Sequence, residues 1–448
     1  MPCKNIIAAI DIGTSKTVAI AGTKDEQGKI MILGIGEAET KGVIRGTVQN
    51  IVLASASVRE AVQKCEKATN VVFKNVYVGI DGRNIRGEVN SHSKIISNII
   101  TDQDINQLTE ELYQISAGQG ENIIHVIPQG YSVDNAPVGI NPKGFNGRKL
   151  EGTFYVVKGK EKAVNNIKQA VEMAGLKIIK LILEPLASAE AVLSKDEKEI
   201  GVALADIGAG TADIAVFQDN ILRYTGVIPL GGKAITNDIK KGCGVLERQA
   251  EQIKIQYGAA LLQKDFTKKA VSIKGVNGKS KDIPFSAIAS IISSRVEEIL
   301  GGIAYEIDTV RKQTPLNGGL VITGGTAKLK NLLQLAKFSL AIEARTGTPM
   351  TVGAEYGSET YATAIGLIIK GMEYTEDIIA RQKKKAEQAN AEAQPNKEQG
   401  AQSSTADKKE ANGKDSAKGN DKENQKGFRG FIKSIANKLF TEPDDSKM

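Results

Sequence analysis

A chain of 448 residues exceeds what one compact core organises, so two or more domains are expected. Hydrophobic residues at 41% allow a real core, while aromatics at 4% with no Trp, against 46 Gly, argue against an aromatic-stacking nucleic-acid surface. The formal charge of +7 owes part of its Lys surplus to the last stretch of chain, Cys3, Cys65 and Cys243 show no CxxC spacing, and His92 and His125 lie near no cysteine pair, so neither a disulfide framework nor a zinc site is expected.

The apolar stretch from Ile6 to Ile20 is broken by Asp11, Gly13 and Lys16 and has no small-residue cleavage site, so it does not read as a signal peptide. No apolar run reaches the length of about eighteen that a membrane span needs, and any membrane contact is expected to be peripheral. Asn5 to Asp11, Thr17 to Thr23 and Ile30 to Gly36 read as strands of a meander, Thr47 to Lys67 as a helix and Asn75 to Ile80 as a strand. An inserted α+β module follows, expected as a hairpin Val76 to Val89, a helix Asp102 to Ile115, and strands Ile123 to Val133 and Thr153 to Val157. A helix Lys162 to Ala174 and a strand Lys177 to Leu183 rejoin the main sheet before Glu184-Pro185 opens another helix.

The opening design returns from Gly201: strand Val202 to Asp206, a Gly-rich turn, strand Asp213 to Phe217, and Ile221 to Val227 after Asp219-Asn220. Asp11-Ile12-Gly13-Thr14 and Asp206-Ile207-Gly208-Ala209-Gly210-Thr211 each close a buried strand with an acidic residue and a Gly-rich turn, roughly two hundred residues apart, which points to two related halves facing one cleft. Leu246 to Leu262 and Ile283 to Thr314 read as helices flanking a hairpin, Val271 to Ile283, with its turn at Asn277-Gly278. Leu320 to Thr323 is a buried strand ending in Gly324-Gly325, with a helix from Leu329. Beyond Gly371 the chain turns to Lys, Gln, Ala, Glu, Asn, Ser and Gly, a composition that buries too little surface to fold alone; a flexible linker of that length spans on the order of 40 Å.

Neither GxxxxGK[ST] nor GxGxxG occurs. The two acidic turns nevertheless leave backbone N–H groups and hydroxyls free to approach phosphate oxygens, and each acidic residue can hold a hydrated Mg2+. Taken with Gly324-Gly325-Thr326 after a third buried strand and the helix start Glu184-Pro185-Leu186-Ala187, the pattern resembles the actin, Hsp70 and sugar-kinase superfamily. That resemblance implies an α/β, two-lobed fold with ATP in the cleft. Asp11 and Asp206 would hold Mg2+ through water, and Gly13, Thr14, Ser15, Lys16, Gly208, Gly210 and Thr211 would meet the phosphates. Gly231, Gly232, Glu251, Lys254, Gly324, Gly325 and Thr326 would complete the nucleotide site. Glu184 matches the residue that orients the attacking water in members that hydrolyse ATP, and reads equally as a helix N-terminal charge. Glu251 and Lys254 also read as an exposed i, i+3 ion pair.

Within the superfamily, Ile228-Pro229-Leu230-Gly231-Gly232-Lys233, followed by Ala250-Glu251 and Lys254, and Leu183-Glu184-Pro185-Leu186-Ala187-Ser188-Ala189 resemble the FtsA family, as does the place of the insertion. This likeness covers about Asn5 to Gly371. It implies a first lobe, subdomain 1A, over 1–83 and 161–196, an inserted subdomain 1C over 84–160, a second lobe, subdomain 2A, over 197–245 and 303–373, and a subdomain 2B over 246–302. A disordered linker over 374–426 and an amphipathic helix over 427–441 would complete the chain. Ala209 and Ala212 stand where the family often has Gly and Thr, which points away from efficient hydrolysis.

Beyond the linker, Phe428, Phe431, Ile432, Ile435, Ala436, Leu439 and Phe440 fall on one helical face beside Lys426, Arg429, Lys433 and Lys438, and Pro443 stops the run. This is the signature of an interfacial membrane helix, with docking onto the chain's own body or a partner's groove as the alternative. The family resemblance implies such a membrane-targeting helix on an anionic inner-membrane surface, self-association into filaments, the C-terminal peptide of FtsZ as a partner on subdomain 2B, where Arg295 matches a basic residue, and later division proteins as further partners. Arg295 also reads as an ordinary exposed helix charge. The expectation is a nucleotide-dependent structural adaptor, at most a slow ATPase, peripheral at the division site. Its rivals are an Hsp70-like or sugar-kinase-like enzyme and a pilus-assembly adaptor of the same fold, which would lack the linker and terminal helix.

Overall fold

The computed structural model describes residues 6–392 apart from 115–116, 262–268, 275–279, 313 and 354. Strand β1 (Ile7–Ile12) buries Ile7, Ala8, Ala9 and Ile10 in succession, the continuous apolar run of a strand covered on both faces. It pairs antiparallel with β2 (Lys16–Lys24), and β2 with β3 (Ile30–Glu39). A two-residue hairpin, β4 (Val43–Ile44) and β5 (Thr47–Val48), precedes α1 (Ile51–Thr69). The helix expected from Thr47 therefore starts later: Thr47 and Val48 pair with Ile44 and Val43, and Asn50 caps the helix by accepting from the Leu53 N–H at 3.0 Å.

Strand β6 (Asn75–Ile80) is buried from Val76 on and lies parallel to β1. The hairpin expected over Val76 to Val89 does not form, because β6 is an interior strand of the main sheet while β7 (Ile85–Ile95) opens a separate one. There β7, β8 (Glu121–Val133), β9 (Ala136–Gly139) and β10 (Lys149–Lys160) form an antiparallel sheet in the order β7-β10-β8-β9, with α2 (Asp102–Gln114) between β7 and β8 in the chain. Leu108 and Leu112 of α2 meet Tyr131, Leu150, Phe154 and Val156 in a small core of the insertion's own. Helix α3 (Glu161–Met173) then returns the chain to β11 (Lys177–Leu183), parallel to β6.

Helices α4 (Glu184–Val192) and α5 (Lys195–Ile200) lead to the second lobe, α5 starting at a capping box of Ser194 and Glu197. Strands β12 (Val202–Ile207), β13 (Ala212–Gln218) and β14 (Ile221–Ile228) repeat the opening meander, with Asp219 and Asn220 both at positive φ in the tight turn. After α6 (Gly232–Cys243), α7 (Glu247–Tyr257), the hairpin β15 (Ala270–Lys274) and β16 (Ser280–Pro284), and α8 (Phe285–Arg311), strand β17 (Leu320–Thr323) enters parallel to β12. A 3-10 turn, Gly325–Lys328, delays the helix expected at Leu329 until α9 (Leu332–Leu340), since Asn331 sits at φ 61. Strand β18 (Ala344–Thr346) and α10 (Ala362–Glu392) finish the described chain.

The two large sheets run β11-β6-β1-β2-β3 and β18-β17-β12-β13-β14, strand for strand the same topology. This duplicated arrangement is the two-lobed actin-like fold. Two expected boundaries fall inside helices. Helix α8 crosses 302/303 unbroken on a stripe of Val296, Ile299, Leu300, Ile303 and Ile307, and α10 runs through 374, where Thr375 is buried, its hydroxyl sharing a 2.8 Å hydrogen bond with the Tyr77 hydroxyl and bonding the Gly371 carbonyl. No helix among the described residues is long and apolar enough to cross a membrane. Phe428, Phe431, Ile432, Ile435, Leu439 and Phe440 lie outside the described residues.

Candidate functional site

The ends of β1, β6, β12 and β17 converge on a cleft of about 450 Å³ between the lobes. Asp11, Gly13, Thr14, Ser15, Lys16, Glu184, Asp206, Gly208, Gly210, Thr211, Gly232, Glu251, Lys254, Gly324, Gly325 and Thr326 all line it; Gly231 packs behind, against the backbone of Gly208 and Ala209. Because β1 and β12 hold corresponding places in the two sheets, their terminal carboxyls arrive on the same cavity from opposite sides.

Five mutually interacting carboxyls collect at one end of it, Asp11, Asp81, Glu184, Asp206 and Asp213, while Glu251 and Glu359 line it elsewhere. Burial pushes Asp11 up to about 7, with Lys16 pulling it back and Asp206 and Asp81 adding to the rise. Burial likewise raises Asp81 to about 6, against hydrogen bonds from Asp213 and Thr211. Glu184 and Asp213 are held well above the carboxylate range by burial, reinforced by the neighbouring acids. Asp206 is raised by burial, opposed by hydrogen bonds at its Oδ2 from the Ser188 hydroxyl at 2.7 Å and the Thr363 hydroxyl at 3.0 Å. Ser188 stands on α4 and Thr363 on α10, so the two helices that join the lobes both grip this carboxyl.

Asp81 and Asp213 are the site residues that motif reading missed. Asp81 closes β6 just as Asp11 closes β1, and its signal was present in Val78-Gly79-Ile80-Asp81-Gly82. Thr211 donates to one of these two carboxyls, Asp81 Oδ2 lying at 3.2 Å and Asp213 Oδ2 at 3.1 Å, while the buried Oδ1 of Asp213 has no protein partner. That orphaned oxygen among mutually repelling acids fits a cation at this end of the cleft. No group of three such ligands among the described residues encloses an ion, so a Mg2+ would complete its shell with water and phosphate oxygens, as its small radius and tight hydration favour.

On the other side, Lys254 Nζ donates to Glu251 Oε2 at 2.9 Å, the Thr236 hydroxyl at 2.9 Å and the Gly232 carbonyl at 3.0 Å. The pair is therefore part of a semi-buried network at the start of α6, not a free surface ion pair. The Gly208 carbonyl accepts from the Gly232 N–H at 2.9 Å and the Thr326 hydroxyl at 2.9 Å, tying the second acidic turn to the turn after β17. Lys16 follows the first acidic turn. It lines the cleft, but its ammonium is held by Glu37 at 2.8 Å and lies 4.2 Å from the Tyr361 ring centroid, because β3 presents a carboxylate beside it. A larger hollow of about 800 Å³, walled by the stacked Tyr257 and Phe285, shares Leu329 and Lys330 with the cleft but holds none of the acids.

Arg295 is elsewhere, on α8. Its Nε donates to Asp238 Oδ2 at 2.5 Å and its Nη1 pairs with Glu298, beside a shallow hollow of about 390 Å³ that also includes Lys241, Ser290 and Ser294.

A family model described as cell division protein FtsA matches residues 203–366, and one described as an SHS2 domain inserted in FtsA matches residues 79–158, the stretch that builds the inserted sheet. The chain is 34% identical over 369 residues to the cell division protein FtsA of Neisseria meningitidis serogroup B, covering 81% of this chain and 89% of that protein. It is 33% identical over 368 residues to that of Bacillus subtilis strain 168, covering 81% and 82%. Among solved structures, a PilM-PilN type IV pilus biogenesis complex shares the fold at a TM-score of 0.59 and 16% identity, over 82% of this chain and 98% of that one.

Proposed function

Since the chain belongs to the FtsA family of cell division proteins, we propose that it is an ATP-binding, polymerising adaptor that holds the FtsZ ring at the cytoplasmic face of the membrane and brings in later division proteins. The observation that carries the reading is the cleft, in which two duplicated acidic turns from opposite lobes face one cavity that holds the cluster of Asp11, Asp81, Glu184, Asp206 and Asp213. Gly13, Thr14, Ser15, Gly208, Gly210 and Thr211 would cradle the phosphates. Glu251, Lys254 and the Gly324 to Thr326 turn would hold the nucleoside. Bound Mg2+ would neutralise phosphate charge, with Asp11 and Asp206 steadying its waters.

A ligand gripped by both lobes binds the closed form better than the open one and so shifts that population. Burial and the neighbouring acids, which hold the Glu184 carboxyl well above the usual carboxylate range, together with Ala209 and Ala212, favour this switching role over rapid hydrolysis. A filament that aligns many weak tail helices gains avidity for an anionic bilayer without any new contact. The hollow at Arg295 and Lys241 would take the acidic C-terminal peptide of FtsZ, whose carboxylates compete with Asp238 and Glu298 for the guanidinium.

The test is co-sedimentation of purified FtsZ with anionic vesicles and ATP, adding the full chain or a version truncated after Lys426. FtsZ should pellet with the full chain alone. Pelleting of the chain without FtsZ would overturn the adaptor reading, and FtsZ pelleting equally with the truncated chain would overturn the role of the tail.

A further inference from the structure

Edge strand β14 is covered by the insertion, and the contact is built from irregularities on both sides. In the β8 ladder Thr153 faces Gly130 and Phe154 faces Pro128, leaving Gln129 as an extra, bulged residue. In the β14 ladder Val216 faces Tyr224 and Phe217 faces Leu222, leaving Arg223 as another. A bulge re-aims the side chain of its extra residue, and these two aim at each other. Arg223 Nη1 donates to Gln129 Oε1 at 3.2 Å, and Gln129 Nε2 donates to the Leu222 carbonyl at 2.9 Å.

One step along, the Tyr155 hydroxyl accepts from the Thr225 N–H at 2.9 Å and reaches back to the Thr225 carbonyl at 3.4 Å. Tyr155 is 3% exposed, and its hydroxyl occupies space that a Cβ on Gly87 would need, at 2.0 Å. So the insertion, which joins the chain through the first lobe, is bonded to the edge of the second.

Strand β14 does not end in solvent. From Ile228 it runs through Pro229 and Leu230 into Gly231 and Gly232, which pack on the acidic turn at Gly208 and Ala209. Its Tyr224 hydroxyl is held by Glu306 of α8, the helix that carries Arg295. The strand and the segment that follows it therefore touch the acidic turn of the cleft, helix α8 and the insertion.

We infer that β14 couples the cleft to the insertion, with Tyr155 and the interlocked Gln129 and Arg223 as positioning residues, so that nucleotide occupancy sets how firmly the insertion is held and therefore how it meets its partners. This rests on the reading that the cleft takes nucleotide. By linkage the coupling is reciprocal: whatever fixes the insertion on β14 also tightens nucleotide binding.

The experiment uses the full chain with a fluorescent ATP analogue and Mg2+, reading affinity by titration and amide exchange over 121–133 and 149–160 with and without nucleotide. Tyr155→Phe removes only the hydroxyl, and Tyr131→Phe removes one from the insertion's own core, away from β14. Nucleotide should slow exchange in both segments of the unaltered chain and of Tyr131→Phe. In Tyr155→Phe the nucleotide should still bind, about fivefold or more weakly, without that slowing. Bound nucleotide that leaves exchange in the unaltered chain unchanged overturns the coupling. Slowing retained in Tyr155→Phe, or lost in both variants, overturns the role of β14. Failure to bind nucleotide at all overturns the cleft reading and the coupling with it.

Discussion

The hydroxyl of Thr14 fills the space that any side chain at Gly210 would require: a Cβ there would lie 2.3 Å from Thr14 Oγ1. Thr14 belongs to the first acidic turn and Gly210 to the second, so the two halves of the duplication meet side by side in this cleft. The Thr14 hydroxyl also accepts from the Gly46 N–H at 3.0 Å, which fixes it in place.

Gly210→Ala should therefore push the lobes apart. Overpacking of this kind costs about 1 to 3 kcal/mol, and relief by lobe opening should appear as a loss of nucleotide affinity of about tenfold with little change in melting temperature. Gly301→Ala on α8 is the control, since a Cβ there would meet nothing within 4 Å and the residue does not line the cleft. Equal affinities for the two variants would count against the steric argument.

The acid cluster makes stability depend on pH. Asp11, Asp81, Glu184, Asp206 and Asp213 have folded pKa values above their unfolded ones, so the folded chain holds more protons and loses stability as pH rises through that window. His125 opposes this below about 6.5, because burial lowers its pKa to about 3 and the unfolded chain takes a proton that the folded one refuses. Between pH 6.5 and 8 the carboxyls decide the sign. The melting temperature of the nucleotide-free chain should fall across that range, and Asp213→Asn should flatten the fall; a rise would contradict the electrostatic picture.

His125 joins the insertion to the first lobe, its Nε2 accepting from the Leu183 N–H at 3.0 Å. His125→Leu leaves that buried donor unsatisfied, at a cost of about 1 to 3 kcal/mol. Urea denaturation should show an earlier midpoint, and because Leu183 precedes Glu184, nucleotide affinity should fall as well. An unchanged midpoint would mean that water or a shifted backbone replaces the bond.

Arg295→Ala separates the partner site from the cleft. Binding of an acidic FtsZ C-terminal peptide, followed by fluorescence anisotropy, should weaken by about tenfold or more, while nucleotide affinity stays unchanged. Retention of peptide affinity would leave Arg295 as a structural partner of Asp238 and Glu298 alone.

Much of this architecture was legible in local pattern. Continuous apolar runs marked β1, β6, β12 and β17, the Asp219-Asn220 pair marked a tight turn, and Glu184-Pro185 marked the start of α4, because burial of a face and the conformational preferences of turn residues are written over a few neighbouring positions. The acidic turns at Asp11 and Asp206 were visible for the same reason. Pairing partners were not. Whether β6 joins β7 or lies beside β1 depends on closing long loops, and only the closed fold places Asp81 of one lobe against Asp213 of the other, seats Thr14 against Gly210, and turns the bulged Gln129 and Arg223 toward each other. Each of those contacts joins residues far apart in the chain. Their geometry is set by how whole sheets dock, and local periodicity carries no term for that.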